Sequence, residues 1–146
     1  MPFRKHFLAA GLMVLAGIGF LGTGDAYAMN TTDNQAKKAV KIVQTAGRQQ
    51  LGIFAPDFAC YNDDILFGEV WSKNDVLPLK ERSIVTVSAL IAQGITDSSL
   101  KYHMETAKKN GVTKDEMAEI ITQLAFYSGW PKAWAAFGYA KEVYGE

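Results

Sequence analysis

Residues 77–110, LPLKERSIVTVSALIAQGITDSSLKYHMETAKKN, form the stretch that decides the fold. The first half is dense in apolar residues, which predicts a helix that is buried on most sides. The second half opens with Thr96, a favourable N-cap residue for another helix. Asn110 and Gly111 then give the signal expected just past a helix end. The stretch therefore predicts two helices joined by a short turn.

His103 lies on the inward face of the second predicted helix. Leu100, His103, Met104 and Ala107 recur at the spacing i, i+3, i+4 and i+7, which places them on one face. The three apolar members of this set require burial, so the histidine points inward with them. Two interpretations are open: a hydrogen-bonded histidine of the core, or a residue that moves a proton in a reaction.

The rest of the chain also predicts helices. These further helices are residues 35–51, 57–71, 113–127 and 132–144. Pro56 suits the first position of the second of them, and Thr113 with Glu116 forms a capping box that opens the third. No stretch alternates at period two for long enough to predict a sheet. The predicted fold is all-α, a compact bundle of about six helices.

The N-terminus has the three parts of a secretory signal peptide. Basic residues at positions 4–6 precede the apolar run 7–21, and Ala26-Tyr27-Ala28 matches the small-x-small pattern of signal peptidase. The apolar run is short for a bilayer span, which argues against a retained anchor. We therefore expect a signal peptide at 1–28, cleaved after Ala28, and a periplasmic or secreted domain at 29–146 with no membrane association.

Charge and cysteine content limit the possible partners. The chain carries 15 basic and 15 acidic side chains, and removal of the signal peptide leaves it nearly neutral. Without a basic excess, we expect no nucleic-acid partner. Cys60 is the single cysteine, so an internal disulfide is excluded in this exported protein. We expect packing and subunit contacts to stabilise it instead, with aromatic residues near the C-terminus partly buried between subunits. These are Trp130, Trp134, Phe137 and Tyr144.

Few kinds of chemistry fit the remaining residues. After signal removal His103 is the only histidine, and no HExxH, CxxC, GxSxG or glycine-rich phosphate loop occurs. We therefore expect neither a metal nor a cofactor. What remains is a set of polar residues within apolar helices, with tryptophans beside them. The candidates are Glu69, Trp71, Arg82, His103, Tyr127 and Trp130.

Several of these residues, and Cys60, are also open to other interpretations. Glu69 lies within an apolar cluster of the sequence, and Tyr127 and Trp130 are first of all packing residues. Arg82 is in a first helical turn, where it opposes the helix dipole, so an anionic partner would explain its position. Cys60 has the character of a small buried hydrophobe, because no base or second cysteine accompanies it.

Four segments of the chain resemble the carboxymuconolactone decarboxylase family. They are FGEVWS (67–72), LKERSIVTVSALIAQG (79–94), the helix of His103 and NGVTKDEMAEIITQLAFYSGWPKAWAAF (110–137). The resemblance implies an all-helical, alkylhydroperoxidase D-like fold and a homo-oligomer, commonly a trimer or hexamer. It implies one of two activities: decarboxylation of 4-carboxymuconolactone without a cofactor, or a thiol peroxidase reaction.

The peroxidase branch of that family carries CxxC, followed after three residues by a histidine. Counting back from His103, Thr96 and Ser99 occupy the two cysteine positions here. A hydroxyl at these positions cannot be oxidised and recycled, so this peroxidase reaction should be absent. Ser83 also departs from the family, whose members often carry glutamate after the arginine of the central helix.

The resemblance favours a cofactor-free lyase that acts on a small unsaturated or lactone carboxylic acid. In this hypothesis Arg82 fixes a carboxylate or the developing oxyanion, His103 donates a proton, and Glu69 orients His103. The leaving carboxylate would be surrounded by aromatic side chains. These are Trp71, Tyr127 and Trp130. Two alternatives stay open: a peroxiredoxin-like antioxidant protein and a non-catalytic helical binding module.

Overall fold

The computed structural model describes residues 38–145, and every regular element in that range is helical. The elements are α1 (Ala46–Leu51), α2 (Pro56–Cys60), a π-helix (Tyr61–Trp71), α3 (Leu79–Gln93), α4 (Ser98–Lys109), α5 (Lys114–Ser128) and α6 (Trp130–Tyr144). The predicted all-α class is confirmed. Within the described range, no helix combines the length and apolar character needed to cross a bilayer. The expected signal peptide lies outside the described residues.

Helices α3 to α6 enclose the hydrophobic core. Helix α5 packs on α3 and α6, and α4 packs on the same two helices. Leu100, Met104 and Ala107 of α4 are all 0% exposed, as their spacing predicts. Helix α6 contributes a row of buried alanines. These are Ala133, Ala136 and Ala140. Small side chains in this row allow α6 to approach its neighbours closely.

Two helix starts test the capping predictions. Thr113 and Glu116 form the predicted capping box: Glu116 N donates to Thr113 Oγ1 (3.2 Å) and Thr113 N donates to Glu116 Oε2 (2.8 Å). For α4, the prediction of Thr96 as N-cap is wrong by one residue. The N-cap is Asp97, whose carboxylate accepts from Ser99 N at 2.8 Å. A carboxylate also complements the positive end of the helix dipole, which a threonine hydroxyl does not.

The junction between α5 and α6 is a single residue. Gly129 has φ +100°, a conformation that L side chains rarely adopt, and the predicted break of the helix at this point is confirmed. Pro131 then stands in the first turn of α6, where its fixed φ is favourable. The last helix consequently begins at Trp130, two residues earlier than predicted.

The first predicted helix is mostly wrong. Residues 38–45 have no regular structure, so only residues 46–51 are helical within the described part, 38–51, of the predicted helix 35–51. Side chains of the 72–78 loop take over the backbone hydrogen bonds of this segment. Val40 N donates to Asn74 Oδ1 (2.8 Å), Asn74 Nδ2 donates to Val40 O (2.7 Å), and Ile42 N donates to Ser72 Oγ (2.8 Å). These long-range bonds outweigh the local helical preference.

Candidate functional site

A cleft of about 480 Å³ opens between α4 and the N-terminal elements. This volume lies in the range of small-molecule sites. One wall comes from α4 and consists of Ser98, Ser99, Tyr102 and His103. The opposite wall consists of Gln44, Ala46, Gly47, Gln50, Leu51, Phe58, Asn62, Leu66 and Phe67. The cleft therefore combines an apolar lining with amides, hydroxyls and one imidazole.

His103 is half-buried at this cleft. Its ring makes an edge-on contact with Tyr102, with centroids 5.2 Å apart. No other described residue binds the imidazole by a hydrogen bond, which is not the environment of a hydrogen-bonded core histidine. Burial lowers the pKa of His103 below its ordinary value of 6.5, so the imidazole is neutral at neutral pH. A negative charge bound in the cleft would favour the protonated form.

The amides of the cleft were missed by the sequence analysis. Asn62 belongs to the π-helix, while Gln44 and Gln50 belong to the stretch whose helix prediction was mostly wrong. Their amides and the hydroxyls of Ser98 and Ser99 can donate to a carboxylate or a carbonyl oxygen. Polar residues within a helical pattern carry no signal of their own, so only the folded chain identifies them.

Asp63 fixes the N-terminal wall of the cleft through hydrogen bonds. Its buried carboxylate accepts from Gly47 N, Arg48 N and Asn62 Nδ2, each at 2.9 Å. Burial raises the pKa of Asp63, but these donors and the Arg48 guanidinium outweigh it, so the pKa lies below 3.8. Gly47 is required here, because a Cβ at this position would lie 2.7 Å from Asp63 Oδ1. The wall is thus fixed by an ionised carboxylate.

Cys60 is engaged with a carboxylate. Its Sγ lies 3.4 Å from Asp64 Oδ2, and this hydrogen bond raises the pKa of the Cys60 thiol. A thiol with a raised pKa is a weak nucleophile at neutral pH. Within residues 38–145, no three His, Cys, Asp or Glu side chains come together as a metal site requires.

Arg82 and Glu69 are not among the residues that line the cleft with His103. Arg82 Nη2 donates to Lys73 O at 2.9 Å, which ties α3 to the preceding loop. Glu69 is exposed on the π-helix, although apolar residues flank it in the sequence. The wider turn of a π-helix rotates each side chain away from the position that α-helical spacing predicts.

The three aromatic candidates are also separated. Trp71 is 8% exposed and packs against Phe67 (centroids 5.7 Å apart), a residue of the cleft wall. Tyr127 and Trp130 are 83% and 57% exposed near the junction of α5 and α6, and neither lines the cleft. Trp71 therefore supports the cleft from behind, while the other two belong to a different surface.

Ser83, the position that departs from the family pattern, has a structural role. It is 1% exposed, and its hydroxyl donates to Leu79 O and accepts from Asn110 Nδ2, each at 2.9 Å. The hydroxyl thus joins the start of α3 to the end of α4.

Arg82→Lys tests whether the arginine serves the fold or the cleft. We expect the substitution to cost about 1 kcal/mol of unfolding free energy, because the Nη2 bond to Lys73 O is lost. The Michaelis constant should stay within about twofold, since Arg82 does not line the cleft. Thermal melts and steady-state kinetics of the hypothesised decarboxylation, measured on the same preparation, check this. A raised Michaelis constant with an unchanged melt would place Arg82 in substrate binding.

The lowered pKa of His103 predicts how stability depends on pH. The folded state disfavours the protonated imidazole, so the unfolded chain binds the proton more readily. The neutral imidazole makes its full contribution to the unfolding free energy above pH 6.5. This contribution is lost as the pH falls through the lower pKa of His103 in the folded state. On acidification from neutral pH, the thermal midpoint of wild type should fall more than that of His103→Gln. If the thermal midpoints of wild type and His103→Gln fall in parallel with pH, the pKa of His103 is not lowered.

The structure shows an all-α protein in which His103 lines a cleft of a size suited to a small molecule. Comparison with known proteins identifies its family. The sequence model of the Carboxymuconolactone decarboxylase family matches residues 56–142. The chain belongs to this family.

Two curated relatives match the chain. It is 40% identical over 96 residues to 4-carboxymuconolactone decarboxylase of Acinetobacter baylyi, a match that covers 66% of this chain and 70% of that protein. It is 31% identical over 84 residues to an uncharacterized 15.0 kDa protein in the nqo9-nqo10 intergenic region of Paracoccus denitrificans. That second match covers 57% of this chain and 62% of the relative.

Proposed function

We propose that this protein is a decarboxylase that needs no cofactor and acts on a small unsaturated or lactone carboxylic acid. The observation that carries the proposal is the position of His103 in a cleft of suitable size. Family membership and the 40% identity to 4-carboxymuconolactone decarboxylase support the same class of reaction. The hydroxyls at the Thr96 and Ser99 positions disfavour the peroxidase alternative.

The substrate supplies its own electron sink in this reaction. When the bond to the carboxylate breaks, its electron pair moves through the conjugated system to the lactone carbonyl oxygen. The product of this step is carbon dioxide and a furan-like oxyanion. Protonation on carbon then completes the reaction. The protein has to bind the acid, stabilise the oxyanion and deliver one proton.

The cleft offers a group for each of these tasks. Protonated His103 delivers the proton to carbon and returns to its neutral form. The Asn62 amide and the Ser98 and Ser99 hydroxyls donate to the oxyanion or to the carboxylate. Apolar residues of the opposite wall, such as Leu66, would displace water from a bound substrate, which favours the uncharged carbon dioxide over the charged reactant.

Product analysis tests the proposal directly. The purified protein is incubated with unsaturated γ-lactones that carry a carboxylate on the γ-carbon, and carbon dioxide and the decarboxylated lactone are followed by NMR. The proposal predicts release of both. A hydroperoxide assay on wild type and Cys60→Ser runs in parallel. Hydroperoxide turnover that Cys60→Ser abolishes, with no carbon dioxide release, would establish the peroxidase alternative instead.

The protein should be a homo-oligomer. Phe126, Tyr127, Trp130 and Trp134 form an aromatic surface on α5 and α6 and are 57–83% exposed, which is unusual for a monomer. Phe137 and Tyr144, by contrast, are partly buried and pack against the core of their own chain. Light scattering should show an oligomer, and Trp134→Lys should shift it to smaller species with its helicity retained. A wild-type monomer at all concentrations would contradict the prediction.

A further inference from the structure

The carboxylate of Asp63 joins two residues that line the cleft. Its Oδ1 accepts from Gly47 N and from Asn62 Nδ2, each at 2.9 Å, and both donors belong to cleft-lining residues. Its Oδ2 accepts instead from Arg48 N at 2.9 Å and from Arg48 Nη1 at 3.3 Å. Asp63 itself is 2% exposed. One oxygen of this buried carboxylate therefore binds residues of the cleft, and the other binds Arg48.

The residues around Oδ1 are packed closely. A Cβ at position 47 would lie 2.7 Å from Asp63 Oδ1, 2.9 Å from Ala59 O and 3.1 Å from Asn62 Nδ2. Glycine at position 47 therefore allows α1 to approach the side chains of Asn62 and Asp63. These two residues are neighbours near the start of the π-helix. Successive side chains diverge by about 100° in an α-helix and by less in the wider π-helix, which helps the pair to meet.

The charge of Asp63 determines which end of the Asn62 amide it binds. Four N–H groups are directed at the carboxylate. Burial raises the pKa of Asp63, but these donors lower the pKa further, so the carboxylate is ionised at neutral pH. An ionised carboxylate can only accept hydrogen bonds, so it binds the Nδ2 end of the amide and not the carbonyl end. The second N–H of Nδ2 then remains for a ligand of the cleft.

We infer that Asp63 is a positioning residue, which fixes the orientation of the Asn62 amide towards a substrate bound in the cleft. The inference rests on the proposed function, in which Asn62 donates to the oxyanion that forms as carbon dioxide leaves. Negative charge on that oxygen grows towards the transition state. A donor that is already oriented therefore stabilises the transition state more than the bound reactant. Asp63 acts through Asn62 and is not itself among the residues that line the cleft.

Asp63→Ala removes both acceptor oxygens and leaves the Asn62 amide free to turn over. We expect the turnover number for carbon dioxide release to fall about tenfold or more, a larger change than that in the Michaelis constant. Arg48→Gln is the matched control, because it removes the guanidinium from Oδ2 and leaves the bonds to Oδ1 in place. Both variants should lower the thermal midpoint, but Arg48→Gln should keep the wild-type turnover number.

Asn62→Ala shows whether the effect of Asp63 passes through Asn62. We expect Asn62→Ala to lower the turnover number about tenfold or more. In that background Asp63→Ala should lower it by a further factor of about two or less, because the amide that Asp63 positions is already absent. If Asp63 serves only the fold, the two losses multiply. Multiplied losses, or a wild-type turnover number in Asp63→Ala, would overturn the inference.

A measurement without turnover separates the inference from the proposed function. Heteronuclear NMR follows the side-chain amide of Asn62, which is assigned by its loss in Asn62→Ala. In wild type and Arg48→Gln, one proton of this amide should exchange with water at least about tenfold more slowly than in an unfolded peptide, and Asp63→Ala should lose this protection. An unprotected amide in wild type would contradict the inference even if Asp63→Ala does not fold.

The two kinds of failure are therefore distinct. If wild type releases no carbon dioxide from the unsaturated lactones, the proposed function is refuted, and the protection of the Asn62 amide alone decides whether Asp63 positions it. Carbon dioxide release by a protein whose Asn62 amide is unprotected would support the function and refute the positioning role.

Discussion

His103→Gln is expected to lower turnover by roughly 10²-fold or more with little loss of stability. Glutamine fills a similar volume and retains hydrogen-bonding groups, so the half-buried position beside Tyr102 should tolerate it. It has no group that can carry a proton near neutral pH, so protonation of the carbanionic product would depend on water. Steady-state decarboxylation rates and thermal melts of the same preparations check both halves of this prediction.

The pH profile gives this prediction a second readout. If protonated His103 is the donor, wild-type turnover should rise as the pH falls towards the histidine pKa, and the variant should lose this dependence. Lys101→Gln serves as the control on the same helix, since Lys101 is paired with Glu142 and does not line the cleft. If His103→Gln turns over at the wild-type rate, His103 does not take part in the mechanism.

Local sequence signals were sufficient for the core of the fold. The burial of Leu100 and Met104 follows from helical spacing alone, and the capping box of Thr113 and Glu116 is a contact between residues three apart. Such features depend on near neighbours in the chain, which a single sequence displays. The error at the start of α4 was one residue, because both Thr96 and Asp97 are favourable capping residues.

The cleft itself could not be predicted in this way. Its N-terminal wall depends on bonds between residues far apart in sequence, such as Val40 to Asn74 and Gly47 to Asp63. The periodicity of apolar residues in the sequence does not predict these contacts. Glu69 stands between apolar residues in the sequence and is nevertheless exposed on the π-helix, whose turn is wider than that of an α-helix. His103 was found because it shares a face with apolar residues.

Leu100→Ala should produce the largest loss of stability. Leu100 is 0% exposed in the core, in the first turn of α4 and three residues before His103. Truncation removes buried apolar surface and leaves a cavity that close-packed neighbours cannot fill, which typically costs about 2–5 kcal/mol. For a domain of this size the thermal midpoint should fall by roughly 8 °C or more.

The matched control for this substitution is Val85→Ala on α3. Val85 is 58% exposed, so its truncation should change the unfolding free energy by no more than about 0.5 kcal/mol. Chemical denaturation at one fixed protomer concentration compares the variants, because subunit association adds to apparent stability. If Leu100→Ala and Val85→Ala lose the same amount of unfolding free energy, Leu100 is not part of a close-packed core.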